Sequence, residues 1–115
     1  MTKPLRVLLV EDSEDDAALT VRALRRAFDL SYMRVDTAEA MQRALETEIW
    51  DLVLSDHKMP GFDSFAALRL LRESMLDLPF IIVSGTIGED VAVAAMKAGA
   101  HDYLLKGHLQ RKSVV

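Results

Sequence analysis

Short apolar runs rich in β-branched residues alternate along the chain with segments whose apolar residues recur every three or four positions. A continuous apolar run marks a strand buried on both faces and the longer period marks an amphipathic helix, so the alternation predicts a parallel sheet joined by crossover helices. The first run is Leu5 to Val10. Ser13 is placed to cap the helix that follows, and Ala17, Val21, Leu24 and Phe28 then form one stripe. Tyr32 to Val35 reads as a second strand, and Thr37 caps a helix with Met41, Ala44 and Leu45 inward. Asp51 to Ser55 is the third strand; Met59-Pro60-Gly61 breaks the chain before a helix carrying Phe65, Leu68 and Leu71. Phe80 to Val83 is the fourth strand. A loop from Gly85 to Gly88 leads to a helix with Val91, Ala95 and Ala98 inward, which Gly99 ends in a left-handed conformation. Asp102 to Leu105 is the fifth strand.

Five β/α repeats with right-handed crossovers give an α/β three-layer sandwich, for which 2-1-3-4-5 is one of two common strand orders. The 115 residues form one domain, 1–115, long enough for a core without disulfide or metal staples. Fourteen Lys and Arg against 18 Asp and Glu leave a net charge of −4 with no basic run, which argues against nucleic acid or an anionic membrane as partner. Cysteine is absent. No apolar stretch approaches the roughly 20 residues that cross a bilayer, and Val7 to Val10 is too short for a signal sequence, so a cytoplasmic protein is expected.

In open α/β sheets the ligand site lies beyond the carboxyl ends of the strands. Strand one runs into Glu11-Asp12, strand three into Ser55-Asp56, strand four into Ser84, and strand five into Lys106. Strands one and three are neighbours in the 2-1-3-4-5 order, which brings Glu11, Asp12 and Asp56 to one cleft. Carboxylates so placed repel one another unless a cation joins them. Oxygen donors without His or Cys point to Mg²⁺. The acidic turn Glu11 to Asp16 is the opposite of a glycine-rich phosphate cradle, and no G-x-G-x-x-G, P-loop or G-x-S-x-G occurs.

These residues carry a resemblance to the receiver domains of response regulators, the phosphoacceptor modules of two-component signalling. The resemblance spans nearly the whole chain. The acidic pair of that family resembles Glu11-Asp12, its D-x-x-M-P-G motif resembles Asp56-His57-Lys58-Met59-Pro60-Gly61, and its Ser/Thr followed by a small residue resembles Ser84-Gly85. Its aromatic residue and lysine resemble Tyr103 and Lys106. The resemblance implies a flavodoxin-like fold of receiver type. It also implies a phosphoryl group taken by Asp56 from a histidine kinase or phosphotransfer protein. Glu11, Asp12, Asp56 and the Lys58 backbone carbonyl would hold Mg²⁺, Glu11 through a water. Lys106 and Ser84 would meet the phosphoryl oxygens, and movement of Ser84 would make room for Tyr103 to rotate, a switch that controls a downstream partner. The domain would be no enzyme beyond catalysing its own phosphorylation and dephosphorylation.

Two departures from the family stand out: Gly107 follows Lys106 where proline is common, and 108–115 holds only Leu109, Val114 and Val115 as large apolar residues. The last helix is therefore expected to be short or missing, which would leave one sheet face incompletely covered and open to a homodimer. Lys58 and Thr86 are expected to tune the phosphoryl lifetime. Met41, Met75 and Met96 read as core fillers, His101 and His108 as surface residues, and His57 lacks a second His or Cys for a metal role. Trp50, just before strand three, should be remote from Asp56. Two rival readings remain. An aspartyl-phosphate phosphatase would carry a second acid two residues after the nucleophile, where this chain has Lys58. A pseudo-receiver would act as a protein-interaction module without phosphorylation.

Overall fold

A computed structural model describes residues 2–57, 59–85 and 88–107. Among the described residues, strands and helices alternate in the order β1 (Lys3–Val10), α1 (Glu14–Arg25), β2 (Phe28–Val35), α2 (Ala38–Thr47), β3 (Leu52–Asp56), α3 (Ser64–Glu73), β4 (Phe80–Ser84), α4 (Glu89–Ala98) and β5 (Asp102–Leu105). All strands are parallel, in the order β2-β1-β3-β4-β5.

The period-two alternation of a strand divides the core. On β1, Leu8 and Val10 face one way and pack with Val53, Phe80, Ile82 and the inward residues of α2, α3 and α4. Val7 and Leu9 face the other way, with Leu54, Val83 and the α1 residues Ala17 and Val21. This is the expected three-layer sandwich, with α1 on one face and α2, α3 and α4 on the other.

Capping sets the helix starts. The Ser13, Thr37 and Asp63 side chains accept from the backbone N–H groups of Asp16, Ala40 and Ala66, satisfying donors that the first turn cannot bond internally. Gly99 ends α4 at φ +114. A Cβ there would run into the Arg72 guanidinium, whose Nη1 donates to the Ala98 carbonyl at 2.8 Å. Gly99→Ala should therefore destabilise the domain by about 1–2 kcal/mol, from left-handed backbone strain plus displacement of Arg72. An unchanged urea midpoint would contradict this.

Several local expectations are corrected. β2 begins at Phe28, so Phe28 belongs to a strand and not to the α1 stripe. Pairing with the whole length of β1, from Lys3↔Phe28 to Val10↔Val35, recruits residues whose own pattern is weak. Of α4's expected inward residues only Ala95 is buried, and Ala98 is exposed. Met41 is a core filler at 0% exposure, whereas Met75 is 89% exposed in a left-handed turn after α3 and Met96 lies on the outer side of α4. His101 lies at the surface, yet its ring has a backbone partner: Phe80 N–H donates to its Nδ1 at 3.0 Å. Residues 108–115, with His108 and the expected short last helix, fall outside the described residues.

Trp50 is buried beside the amino end of β3, its indole N–H donating to the Ala44 carbonyl at 3.0 Å. Asp56 is at the other end of that strand. No helix among the described residues is long and apolar enough to cross a membrane.

Candidate functional site

The carboxyl ends of β1, β3, β4 and β5 place the site. Glu11 follows β1 and is locked by its own backbone: its N–H donates to the Val35 carbonyl at 2.9 Å, and its carbonyl accepts from Arg34 Nη1 at 3.1 Å. The carboxylate turns into the protein and is only 4% exposed. Its Oε2 accepts from the Ser13 N–H at 3.2 Å. Asp12 is exposed beside it, and Asp56 closes β3 in register with Val83. One carboxylate oxygen from each of Glu11, Asp12 and Asp56 lies within 4.8 Å of the others.

Lys106, directly after β5, brings the opposing charge. Its Nζ is 3.1 Å from Glu11 Oε1, 3.4 Å from Asp56 Oδ1 and 2.6 Å from Asp16 Oδ2. Burial alone would favour the neutral amine. The hydrogen bonds to Asp16 and Glu11 and the charges of Asp56 and Glu11 outweigh it, so the ammonium titrates above the usual lysine range. For Glu11 burial dominates: despite the bonds from Lys106 and Ser13, desolvation aided by the Asp56 charge raises its carboxyl to about 7.

The sequence expectations for Glu11, Asp12, Asp56 and Lys106 are thus met as a juxtaposition. Ser84 is buried at the end of β4, and Leu105, its register partner, precedes Lys106. Tyr103 is half-buried on β5, its ring tilted against the His57 ring at 6.3 Å between centroids. Lys58 and Thr86 lie outside the described residues, and with them the Lys58 carbonyl.

Two contributors escaped the sequence. Asp16 looks like an ordinary first-turn acid and meets Lys106 across 90 positions of chain. His57 is engaged by other partners. Its Nδ1 is 2.7 Å from the buried Ser64 Oγ while its carbonyl accepts from the Ser64 N–H at 3.3 Å, and its ring stands edge-on to Phe65. This double contact fixes the loop after Asp56 to the start of α3. Buried Met59 and Phe62 side chains anchor the same loop in the core.

The donor set suits a hard divalent cation. Among the described residues three carboxylates converge without His or Cys, and His57 is engaged elsewhere. One ammonium among four acids leaves, among the described residues, a local excess of negative charge that such an ion would offset.

Comparison with known proteins agrees with this geometry. A family model, the response regulator receiver domain, matches residues 7–113. The response regulator protein FleR of Pseudomonas aeruginosa is 39% identical over 108 residues, covering 88% of this chain and 21% of FleR. The transcriptional regulatory protein PrrA of Mycobacterium leprae is 38% identical over 102 residues, covering 88% of this chain and 43% of PrrA. The chain therefore spans less than half the length of these curated relatives. Among solved structures, full-length FixJ from B. japonicum superposes with a TM-score of 0.78 at 28% identity, over 91% of this chain and 51% of that one. Sequence, fold and site together make this chain a member of the receiver-domain family of two-component response regulators.

Proposed function

We propose that this receiver takes a phosphoryl group on Asp56 from a histidine kinase or phosphotransfer protein, holds it with Mg²⁺ present, and thereby controls a partner protein in the cytoplasm. The observation that carries this reading is the convergence of Lys106 Nζ on Asp56, 3.4 Å from Oδ1, inside the cluster of three carboxylates. Glu11, Asp12 and Asp56 would hold the metal, with the Lys58 carbonyl as a further oxygen. Bound Mg²⁺ supplies charge neutralisation for the carboxylates and for the phosphoryl oxygens.

An Asp56 oxygen attacks phosphorus, the P–N bond of the donor phosphohistidine breaks, and the imidazole leaves, taking a proton from solvent. Lys106 and the Ser84 hydroxyl meet two of the phosphoryl oxygens, so charge moving onto them is matched by fixed donors. Water ends the phosphorylated state by attacking phosphorus and breaking its bond to the Asp56 oxygen, which returns the Asp56 carboxylate and inorganic phosphate. The domain acts on itself and turns over no separate substrate. Engagement of Ser84 opens space beside Tyr103, whose rotation away from His57 would carry the signal outward.

The test is intact mass after incubation with acetyl phosphate, with Mg²⁺ or with a chelator. One Mg²⁺-dependent phosphoryl adduct is expected. Mg²⁺ binding without any adduct would instead favour a phosphorylation-independent interaction module.

Affinity for Mg²⁺ should depend on pH. A carboxyl that titrates near 7 is protonated below that pH and must lose its proton as the metal arrives. Binding should strengthen by up to about tenfold per pH unit as pH rises toward 7 and level off above it. Calorimetric titration in two buffers of different ionisation enthalpy measures the released proton, and a flat affinity from pH 6 to 8 would show Glu11 ionised throughout.

A further inference from the structure

The roles proposed above leave Asp16 unused, although it makes the closest approach to Lys106, 2.6 Å against 3.1 Å for Glu11 and 3.4 Å for Asp56. Asp16 accepts a hydrogen bond from the ammonium, whereas Asp56, at 3.4 Å, is an ion-pair neighbour. A phosphoryl oxygen on Asp56 would compete with Asp16 for the ammonium. Glu11 and Asp56 belong to the group of converging oxygens, whereas Asp16 stands outside that group on the first turn of α1 with its side chain 40% exposed. It is the partner that water can replace at least cost.

Local structure explains why the Asp16 carboxylate points there. Ser13 caps α1 through the Asp16 N–H, which puts Asp16 at the position whose side chain in a capping box reaches back to the cap's own N–H. Here the Ser13 N–H is taken by Glu11 Oε2. Asp16 is thereby released from the reciprocal bond and turns to Lys106.

We infer that Asp16 is a positioning residue that tethers Lys106 in the unphosphorylated chain and must release it for phosphoryl transfer, so that it slows the gain of the phosphoryl group. The inference rests on the phosphoacceptor reading of Asp56. Adduct formation from acetyl phosphate at saturating Mg²⁺ is followed by intact mass in the wild type, Asp16→Asn and Asp15→Asn, each with and without Lys106→Ala. Asp15 is exposed, so its substitution removes the same charge from the same turn.

Asp16→Asn should form the adduct about three- to tenfold faster than the wild type, Asp15→Asn should change the rate by less than about twofold, and the Asp16 effect should vanish without Lys106. A rate for Asp16→Asn no greater than for Asp15→Asn overturns the tether, as does an acceleration that survives Lys106→Ala. Reductive methylation of Lys106, read by peptide mass, is a second measure that needs no phosphorylation and should run several-fold faster in Asp16→Asn. Unchanged methylation also overturns the tether. Faster methylation in a chain that takes no phosphoryl group would keep the ion pair, overturn its role in transfer, and place the failure in the phosphoacceptor reading.

Discussion

Asp56→Asn is expected to abolish the Mg²⁺-dependent phosphoryl adduct completely while leaving the fold intact. The amide is no nucleophile toward phosphorus, and the geometry offers no equivalent carboxylate to replace it. Glu11 is buried and held by Ser13 and Lys106, and Asp12 is exposed at the rim of the cluster. The same substitution should stabilise the fold in chelator by roughly 1 kcal/mol, read as a higher denaturation midpoint, because it relieves repulsion among the clustered carboxylates. Lys106 loses the longest of its three contacts and keeps Asp16 and Glu11. An adduct that persists in the variant would move the phosphoacceptor elsewhere, and a lower midpoint without Mg²⁺ would show that the Lys106 contact outweighs the repulsion.

Phe80→Ala should cost the most stability of any single truncation considered, about 3–5 kcal/mol of a total of roughly 5–15. Phe80 is 0% exposed, at the amino end of β4, and packs between the sheet and the helices α2, α3 and α4. Its backbone N–H and carbonyl are bonded to His101 Nδ1 and to the His101 N–H, so the strand cannot slide to fill the void. Removing the ring leaves a cavity rather than a repacked core. A fall in melting temperature of more than about 10 °C is expected for a domain of this size. The affinity for Mg²⁺ below the transition should be unaltered, because Phe80 lies at the opposite end of β4 from Ser84 and the carboxylates. A loss below about 1 kcal/mol would mean that neighbouring side chains collapse into the space.

Much of the site could be read from the chain because a parallel sheet fixes where strand ends meet. Once strands one and three are neighbours, residues just after them must share an edge, which is why Glu11, Asp12 and Asp56 could be named together. Lys106 followed from the same rule applied to β5. Asp16 could not be found this way, since its position on a capped helix is ordinary and its partner lies 90 residues on. His57 was equally opaque: a histidine beside a nucleophile invites a chemical role, and only the placement of Ser64 and Phe65 shows it bracing a loop.

The methionines show the same boundary from the side of packing. Met41 on the inner stripe of α2 is buried, but Met75 and Met96 have the same composition and no inward place to occupy. The fold's layers and the caps at Ser13 and Thr37 were determined by the sequence, because apolar periodicity and short-range hydrogen bonding act within a few residues. Tertiary structure alone decided the full length of β2, the exposed side of α4, and the three carboxylates that share Lys106. Those depend on pairing and charge neighbours brought together across the sheet, where distance along the chain carries no signal.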